Sequence, residues 1–354
     1  IVVIAVTLIA GTGIFAFKKI PIDAFPDVTN IQVQVIAEAP GRSPIEVEKF
    51  VTFPIEVQMT GLPKLVELRS LSKFSLSMVT IVFDDDVDIY FARQLVLERL
   101  IEAKESLPEG IGPVLGPISS GLGEIYQYTL ERPKDRKIVD PVQDLMELRT
   151  MEDWIIRPIL KTVPGVADVN AFGGYVKQYQ VIVDPAKLIK YNLTLKEVFE
   201  TLAVNNSNAG GNVLEHFSEQ YIVRGVGLIQ SIQDIEDIVI TQNERVPVYL
   251  KDAAKVILGP EFRQGALVVD GQKEGVAGIV MMIRGASSKE VVSRVKQKVE
   301  EINQNNILPD GTKIKPFYDR SELVERCLHT VVNALQEGVF FVVLILYFFL
   351  RNLR

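Results

Sequence analysis

Residues 31–50 read IQVQVIAEAPGRSPIEVEKF, and they hold a strand, a turn and the start of a helix. Ile31 to Glu38 alternate in character, the period of a half-buried strand. Pro40-Gly41 interrupts that pattern. Ser43-Pro44-Ile45-Glu46 is then a capping box with Pro at the first helical position, which satisfies orphan N–H groups and presets φ for a helix to about Met59. Beyond it, Leu65 to Ser72 and Ser75 to Phe83 read as strands. The run Asp84-Asp85-Asp86-Val87-Asp88 leads into a helix from Ile89 to Leu107, stopped by Pro108-Glu109-Gly110. A last strand near Val114 to Ile118 completes a split βαβ of ferredoxin type.

The element order then starts again. Glu124 to Glu131 is a strand, Asp144 to Val163 a helix stopped by Pro164-Gly165, and Ala167 to Phe172 and Gln178 to Val183 are strands around Gly173-Gly174. The two stretches share element order and Pro-Gly punctuation after a helix. From about Pro185 to Pro260 the character changes. A short helix opens on a second capping box, Thr194-Leu195-Lys196-Glu197, followed by the turn-rich Asn205-Asn206-Ser207-Asn208-Ala209-Gly210-Gly211 and short strands, as in an inserted subdomain. The earlier pattern resumes with strand Val276 to Ile283, a helix from Ser287 to about Asn305, and strand Lys313 to Tyr318.

Two apolar stretches flank this α+β region. Ile1 to Phe17 carries no charge and rises about 25 Å as a helix, somewhat short of a ~30 Å hydrocarbon core. It lacks a basic n-region and a small-residue cleavage site, so it reads as the remainder of a membrane span rather than a signal peptide. Leu328 to Leu350 is a second span, broken mainly by Gln336 and Glu337 and followed by the basic exit 351–354. Two spans place both termini on one side of the membrane. Lys18 and Lys19 oppose Arg351 and Arg354, so charge leaves the orientation open.

The net charge of −7 excludes a basic nucleic-acid surface and suits cationic cargo. The single cysteine, Cys327, gives neither a disulfide framework nor a thiolate cluster. His216 and His329, the two histidines, are far apart, so no histidine pair has metal-ligand spacing. There is no phosphate loop and no nucleophile–base pair, so the chain reads as neither an ATPase nor an enzyme.

Several runs together resemble the resistance-nodulation-division superfamily, and within it the heavy-metal efflux branch of cobalt-zinc-cadmium resistance pumps. They are Pro21-Ile22-Asp23-Ala24-Phe25-Pro26-Asp27-Val28, Asp88-Ile89-Tyr90-Phe91-Ala92-Arg93-Gln94, Gly121-Leu122-Gly123-Glu124-Ile125-Tyr126-Gln127-Tyr128, Glu152-Asp153-Trp154, Val163-Pro164-Gly165-Val166, Phe172-Gly173-Gly174 and Phe317-Tyr318-Asp319-Arg320. The resemblance implies the front half of a proton-driven inner-membrane exporter of divalent cations of the zinc, cobalt, cadmium or nickel class. Its implied fold is a pair of ferredoxin-like βαββαβ porter subdomains with an inserted docking subdomain, flanked by two transmembrane helices. The implied boundaries are 1–17 for the first helix, 18–121 for the first porter subdomain, 122–170 and 262–327 for the two parts of the second, 171–261 for docking, 328–350 for the second helix and 351–354 for the cytoplasmic exit. The implied assembly is a homotrimer in membrane lipid, with the large loop periplasmic, working with a periplasmic adaptor and an outer-membrane channel. The Asn/Gly-rich turn would reach a neighbouring protomer. The metal is cargo, and no resident cofactor is implied.

Glu124 is the first candidate for cargo contact: a carboxylate at a strand start, after a Gly-Leu-Gly turn that allows close backbone approach, and an oxygen ligand suited to divalent cations. Asp168, in the strand after Pro164-Gly165-Val166, is the second, bordering the same cleft by the resemblance. The competing reading for Glu124 is a strand-edge carboxylate paired to a Lys or Arg, and for Asp168 a solvated strand position. Asp84, Asp85, Asp86 and Asp88 stand where a helix begins, so capping and the helix dipole account for them. Met281-Met282 occupies a strand, where neighbours face opposite ways, and core packing accounts for the methionines. Glu337 lies in an apolar span, where it faces neighbouring helices or the interface. Two other functions fit the residues. A two-span interaction module that binds an efflux adaptor predicts a natural stop after Arg354, and a drug exporter requires an aromatic-rich cleft.

Overall fold

In a computed structural model, the described residues are 27–350 apart from 218, 244, 245 and 264, together with 4, 8, 11–13, 15, 16 and 23. The expected helix over 1–17 and the run 21–28 are covered only at the positions just named. The basic exit 351–354 lies outside the described residues. The chain divides into two compact units, one of residues 1–137, 151–173 and 267–354, the other of 138–150 and 174–266.

In the first unit, β1 (Ile31–Glu38) leads to a helix α1 over 44–59, then β2 (Leu65–Lys73), β3 (Leu76–Phe83), α2 (Ile89–Glu105) and the short β4 (Val114–Leu115). The strands form one antiparallel sheet in the order β2-β3-β1-β4. The expected capping box is present, with the Ser43 N–H donating to Glu46 Oε2 at 2.9 Å. The inward positions of β1 are Val33, Val35 and Ala37. They meet Val47, Val51, Ile55 and Met59 of α1 and Ala92, Val96 and Leu100 of α2, all spaced four residues apart. That spacing puts one stripe of each helix on the sheet, and each large apolar side chain so buried contributes roughly 1.5–3 kcal/mol.

The same strand order recurs downstream. β5 (Glu124–Glu131), a helix α3 over 141–161, whose residues 141–150 belong to the second unit, and β6 (Val166–Gly173) come before the larger part of that unit. That unit holds β7 (Lys177–Val183), α4 (Pro185–Tyr191), α5 (Leu195–Val204), β8 (Ala209–His216), β9 (Glu219–Gly225), α6 (Ile232–Glu236), β10 (Val239–Asn243), β11 (Val246–Tyr249) and β12 (Ala254–Pro260). The chain returns to the first unit with β13 (Leu267–Val269), β14 (Lys273–Met282), α7 (Ser288–Gln304), β15 (Lys313–Asp319) and α8 (Arg320–Leu350). Here β6, β14, β5 and β15 pair antiparallel in that order, and β13 extends the sheet beside the start of β14. Val291, Val295, Val299 and Ile302 form the buried stripe of α7.

Both α1 and α3 widen into a π-helical turn, at Glu48–Thr52 and Glu152–Ile156, and each turn is followed by a proline one residue on, Pro54 or Pro158. Proline has no N–H to give to the carbonyl four residues back. Immediately before each proline the bonding is five residues apart, with the Phe53 N–H on the Glu48 carbonyl and the Arg157 N–H on that of Glu152.

Several local expectations change. Helix α3 starts at Pro141 rather than Asp144, because the Asp140 carboxylate accepts from the N–H groups of Val142 and Gln143. The turn-rich run ends early, since Ala209 to Gly211 already belong to β8, which pairs with β9 as a ribbon. β7 and β6 flank Gly173-Gly174 as expected but lie in different sheets, β7 pairing with β12 across the second unit. That unit has its own small core of Val198, Ile235, Ile238, Leu250, Ala254 and Val256. Helix α8 begins eight residues before the expected span and is long and apolar enough to cross a membrane.

Candidate functional site

The strand β14 sets the geometry around Glu124 and Asp168. Val280 and Met282 are buried, so Met281 between them faces out of the core. Glu124 of β5 stands opposite Met281 on one side, and Asp168 of β6 stands opposite it on the other. Two inter-strand spacings separate the carboxylate-bearing backbones, about 10 Å. The pairing is irregular on both sides of Met281, between Val280 and Met281 toward β5 and between Met281 and Met282 toward β6. Bulges of this kind re-aim side chains.

Glu124 is exposed and accepts a hydrogen bond from Gln127 Nε2 at 3.0 Å. The turn Gly121–Gly123 before it is a single 3₁₀ turn, and a Cβ on Gly123 would lie 3.2 Å from the Met282 carbonyl oxygen. Glycine there lets the turn sit against β14, as the Gly-Leu-Gly spacing predicts. Asn170 Nδ2 lies 3.0 Å from Met281 Sδ, so a thioether stands in the row between the two acids and an amide two residues along β6 reaches it.

Asp168 has a different environment. Arg157 Nη2 approaches its two oxygens at 3.2 Å each, and Lys161 Nζ lies 3.2 Å from Oδ1. Partial burial pushes the Asp168 carboxyl up. The Val169 N–H, Lys161 and the Arg157 guanidinium outweigh it and hold the group below the usual carboxylate range. A cation that takes Asp168 must displace two positive side chains, whereas Glu124 is met by one neutral amide. Asp168 is thus paired to Arg157 and Lys161 rather than solvated, and Glu124 has a neutral partner in Gln127.

The acidic run lies elsewhere. Asp88 accepts from the N–H groups of Tyr90 and Phe91 at the start of α2, and Asp86 pairs with Lys64. Met59, Met146, Met151 and Met282 are buried. Among the described residues, no three His, Cys, Asp or Glu side chains converge as a metal site. Sequence reasoning missed Met281, Gln127, Arg157 and Lys161. The signal for Met281 was present, since one of two adjacent strand methionines has to face out.

The AcrB/AcrD/AcrF family profile matches residues 1–354. The chain is 47% identical over 347 residues to protein HelA of Legionella pneumophila, covering 98% of this chain and 33% of that protein. It is 46% identical over 355 residues to the cobalt-zinc-cadmium resistance protein CzcA of Cupriavidus metallidurans, covering 100% and 33%. An X-ray crystal structure of a heavy metal efflux pump superposes with a TM-score of 0.87 at 37% identity, over 99% of this chain and 34% of that one. The chain thus spans about a third of the length of the relatives it matches, rather than the half expected. Profile, relatives and superposition agree over nearly the whole chain, and it belongs to the AcrB/AcrD/AcrF family of resistance-nodulation-division transporters, in the heavy-metal efflux group.

Proposed function

We propose that this chain is the N-terminal part of a proton-driven pump that exports divalent metal cations of the zinc, cobalt, cadmium or nickel class from the bacterial inner membrane. The observation that carries this reading is Glu124, an exposed carboxylate level with Met281 and Asp168 on one sheet. Carboxylate oxygen suits these cations. The two carboxylates hang from backbones about 10 Å apart and supply two side chains at most, whereas a zinc site takes about four ligands. The remaining ligands then come from a facing surface of the longer protein. Glu124 makes first contact, because Asp168 is already neutralised by Arg157 and Lys161.

The two βαββαβ sheets serve as porter subdomains and residues 174–266 as the docking subdomain. The ribbon β8–β9 supports a reach to a neighbouring protomer in a trimer, since Leu214, Tyr221 and Ile222 are exposed and Phe217 at its tip is 97% exposed. A periplasmic adaptor and an outer-membrane channel complete the path. Alternating access moves the cation, and proton entry occurs elsewhere in the pump. Helix α8 is the second membrane span, with the α+β region periplasmic.

The test is Glu124→Gln in the full-length pump. Zinc or cobalt resistance falls while expression and membrane insertion stay intact. Resistance equal to wild type at matched expression refutes the assignment of Glu124 as a cargo ligand.

A further inference from the structure

Arg320 is the first residue of α8, yet its side chain is only 5% exposed. Its Nε donates to Asp23 Oδ1 at 2.9 Å, and its Nη1 donates to the carbonyl of Leu122. Leu122 is the centre of the turn that delivers Glu124. The turn's backbone bonds include one from the Gly123 N–H to the Ser120 carbonyl at 2.9 Å.

The residue before Arg320 reinforces the junction. Asp319 accepts from Lys296 Nζ at 2.7 Å, from the Ser321 N–H at 2.8 Å and from Ser321 Oγ at 2.6 Å. It also stands in register with Tyr126, two residues after Glu124. The end of β15 and the start of α8 are therefore fastened to the start of β5 from both sides.

A buried ion pair adds little net stability over apolar packing, so stability alone is a poor reason for a guanidinium here. A planar fork that meets two acceptors from distant segments fixes both in place, which a single-point ammonium cannot do. We infer that Arg320 is a positioning residue for Glu124: its guanidinium pins the Gly121–Gly123 turn to the first residue of α8, so displacement of that helix reaches the carboxylate. This rests on the reading of Glu124 as a cargo ligand.

Hydrogen–deuterium exchange on the full chain in lipid nanodiscs tests it, with wild type, Arg320→Gln, Arg320→Lys, Ser321→Ala and Glu124→Gln, each with and without zinc. Arg320→Gln speeds exchange over residues 120–125 about tenfold while β14 and α7 keep their protection. Arg320→Lys, able to reach one acceptor, falls between, and Ser321→Ala leaves that segment as in wild type. Zinc slows exchange over 120–125 in wild type, needs about tenfold more metal in Arg320→Gln, and has no effect in Glu124→Gln. Unchanged exchange over 120–125 in Arg320→Gln overturns the inference, as does an acceleration spread equally through β14 and α7. An equal zinc response in wild type and Arg320→Gln also overturns it. Should zinc slow nothing in wild type while Arg320→Gln still releases the turn, the ligand reading of Glu124 fails and the pin itself stands.

Discussion

Glu152 is completely buried in the π-helical turn of α3, and the Tyr128 hydroxyl donates to its Oε1 at 2.9 Å. Burial first, and then the charge of Glu152, holds the Tyr128 proton well above the usual tyrosine range. The pair is matched by Gly278, which stands directly opposite Tyr128 on β14, where any Cβ would run into the phenol ring. The three residues form one packing unit in which each excludes substitutes at the others. Tyr128→Phe removes a donor from a buried carboxylate and is expected to destabilise the chain by about 1–3 kcal/mol, read as a lower melting temperature in detergent. Adding Glu152→Leu to Tyr128→Phe recovers part of that loss, because replacing both partners by apolar groups removes the unmet acceptor. A Tyr128→Phe melt within error of wild type rules this account out. The sequence marked Glu152-Asp153-Trp154 as a motif but gave no sign that Glu152 points inward and Trp154 outward, since the wide turn shifts the helical phase on which such a reading depends.

At the scale of elements, what could be read locally was read well. The strand at 31–38 shows the alternation its residues carry, the strand at 124–131 has its expected bounds, and two capping boxes stand where Ser43 and Thr194 place them. Asp140-Pro141 was an equally good start signal, a capping carboxylate with Pro at the first position, and it went unread behind the weaker Asp144. Strand partners were not legible, because β6 meets β14 more than a hundred residues later and nothing local encodes that choice. The level alignment of Glu124 with Asp168 depends on those long-range partners, so each acid was visible and their relation was not. Helix α8 offers a test of membrane placement. Its 31 residues rise about 46 Å, more than a ~30 Å hydrocarbon core; Arg320, Glu322, Glu325 and Arg326 gather in the first two turns, and Glu337 is the charged residue farther along. Cys327 follows them and is exposed. An impermeant maleimide applied from the periplasmic side is expected to label Cys327, and to leave unlabelled a cysteine placed at Val343 in a Cys327→Ser background. Labelling of Cys327 only after cytoplasmic access is opened would reverse the orientation proposed for the whole loop.

At the scale of the molecule, the segment 174–266 leaves the first unit and rejoins it at two neighbouring residues. A Cβ on Gly173 would lie 3.3 Å from the backbone nitrogen of Leu267, so the last residue before the insertion and the first after it are side by side. Gly173 is suited to that exit because its φ of +76° is one that other residues rarely adopt. Loop closure across such a short gap costs little, so a three-glycine bridge in place of 174–266 leaves the sheet of β5, β6, β14 and β15 its own strands and its own α7. Residues 138–150 belong with the excised unit, and the first part of α3 loses its neighbours there. The expected result in the bridged chain is hydrogen-exchange protection of β5, β14 and β15 within a few-fold of the parent, with residues 141–150 exchanging at least about tenfold faster. Loss of protection in β14 together with 141–150 would mean that the two units fold as one, and the proposed division of labour between sheet and insertion would then lack a structural basis.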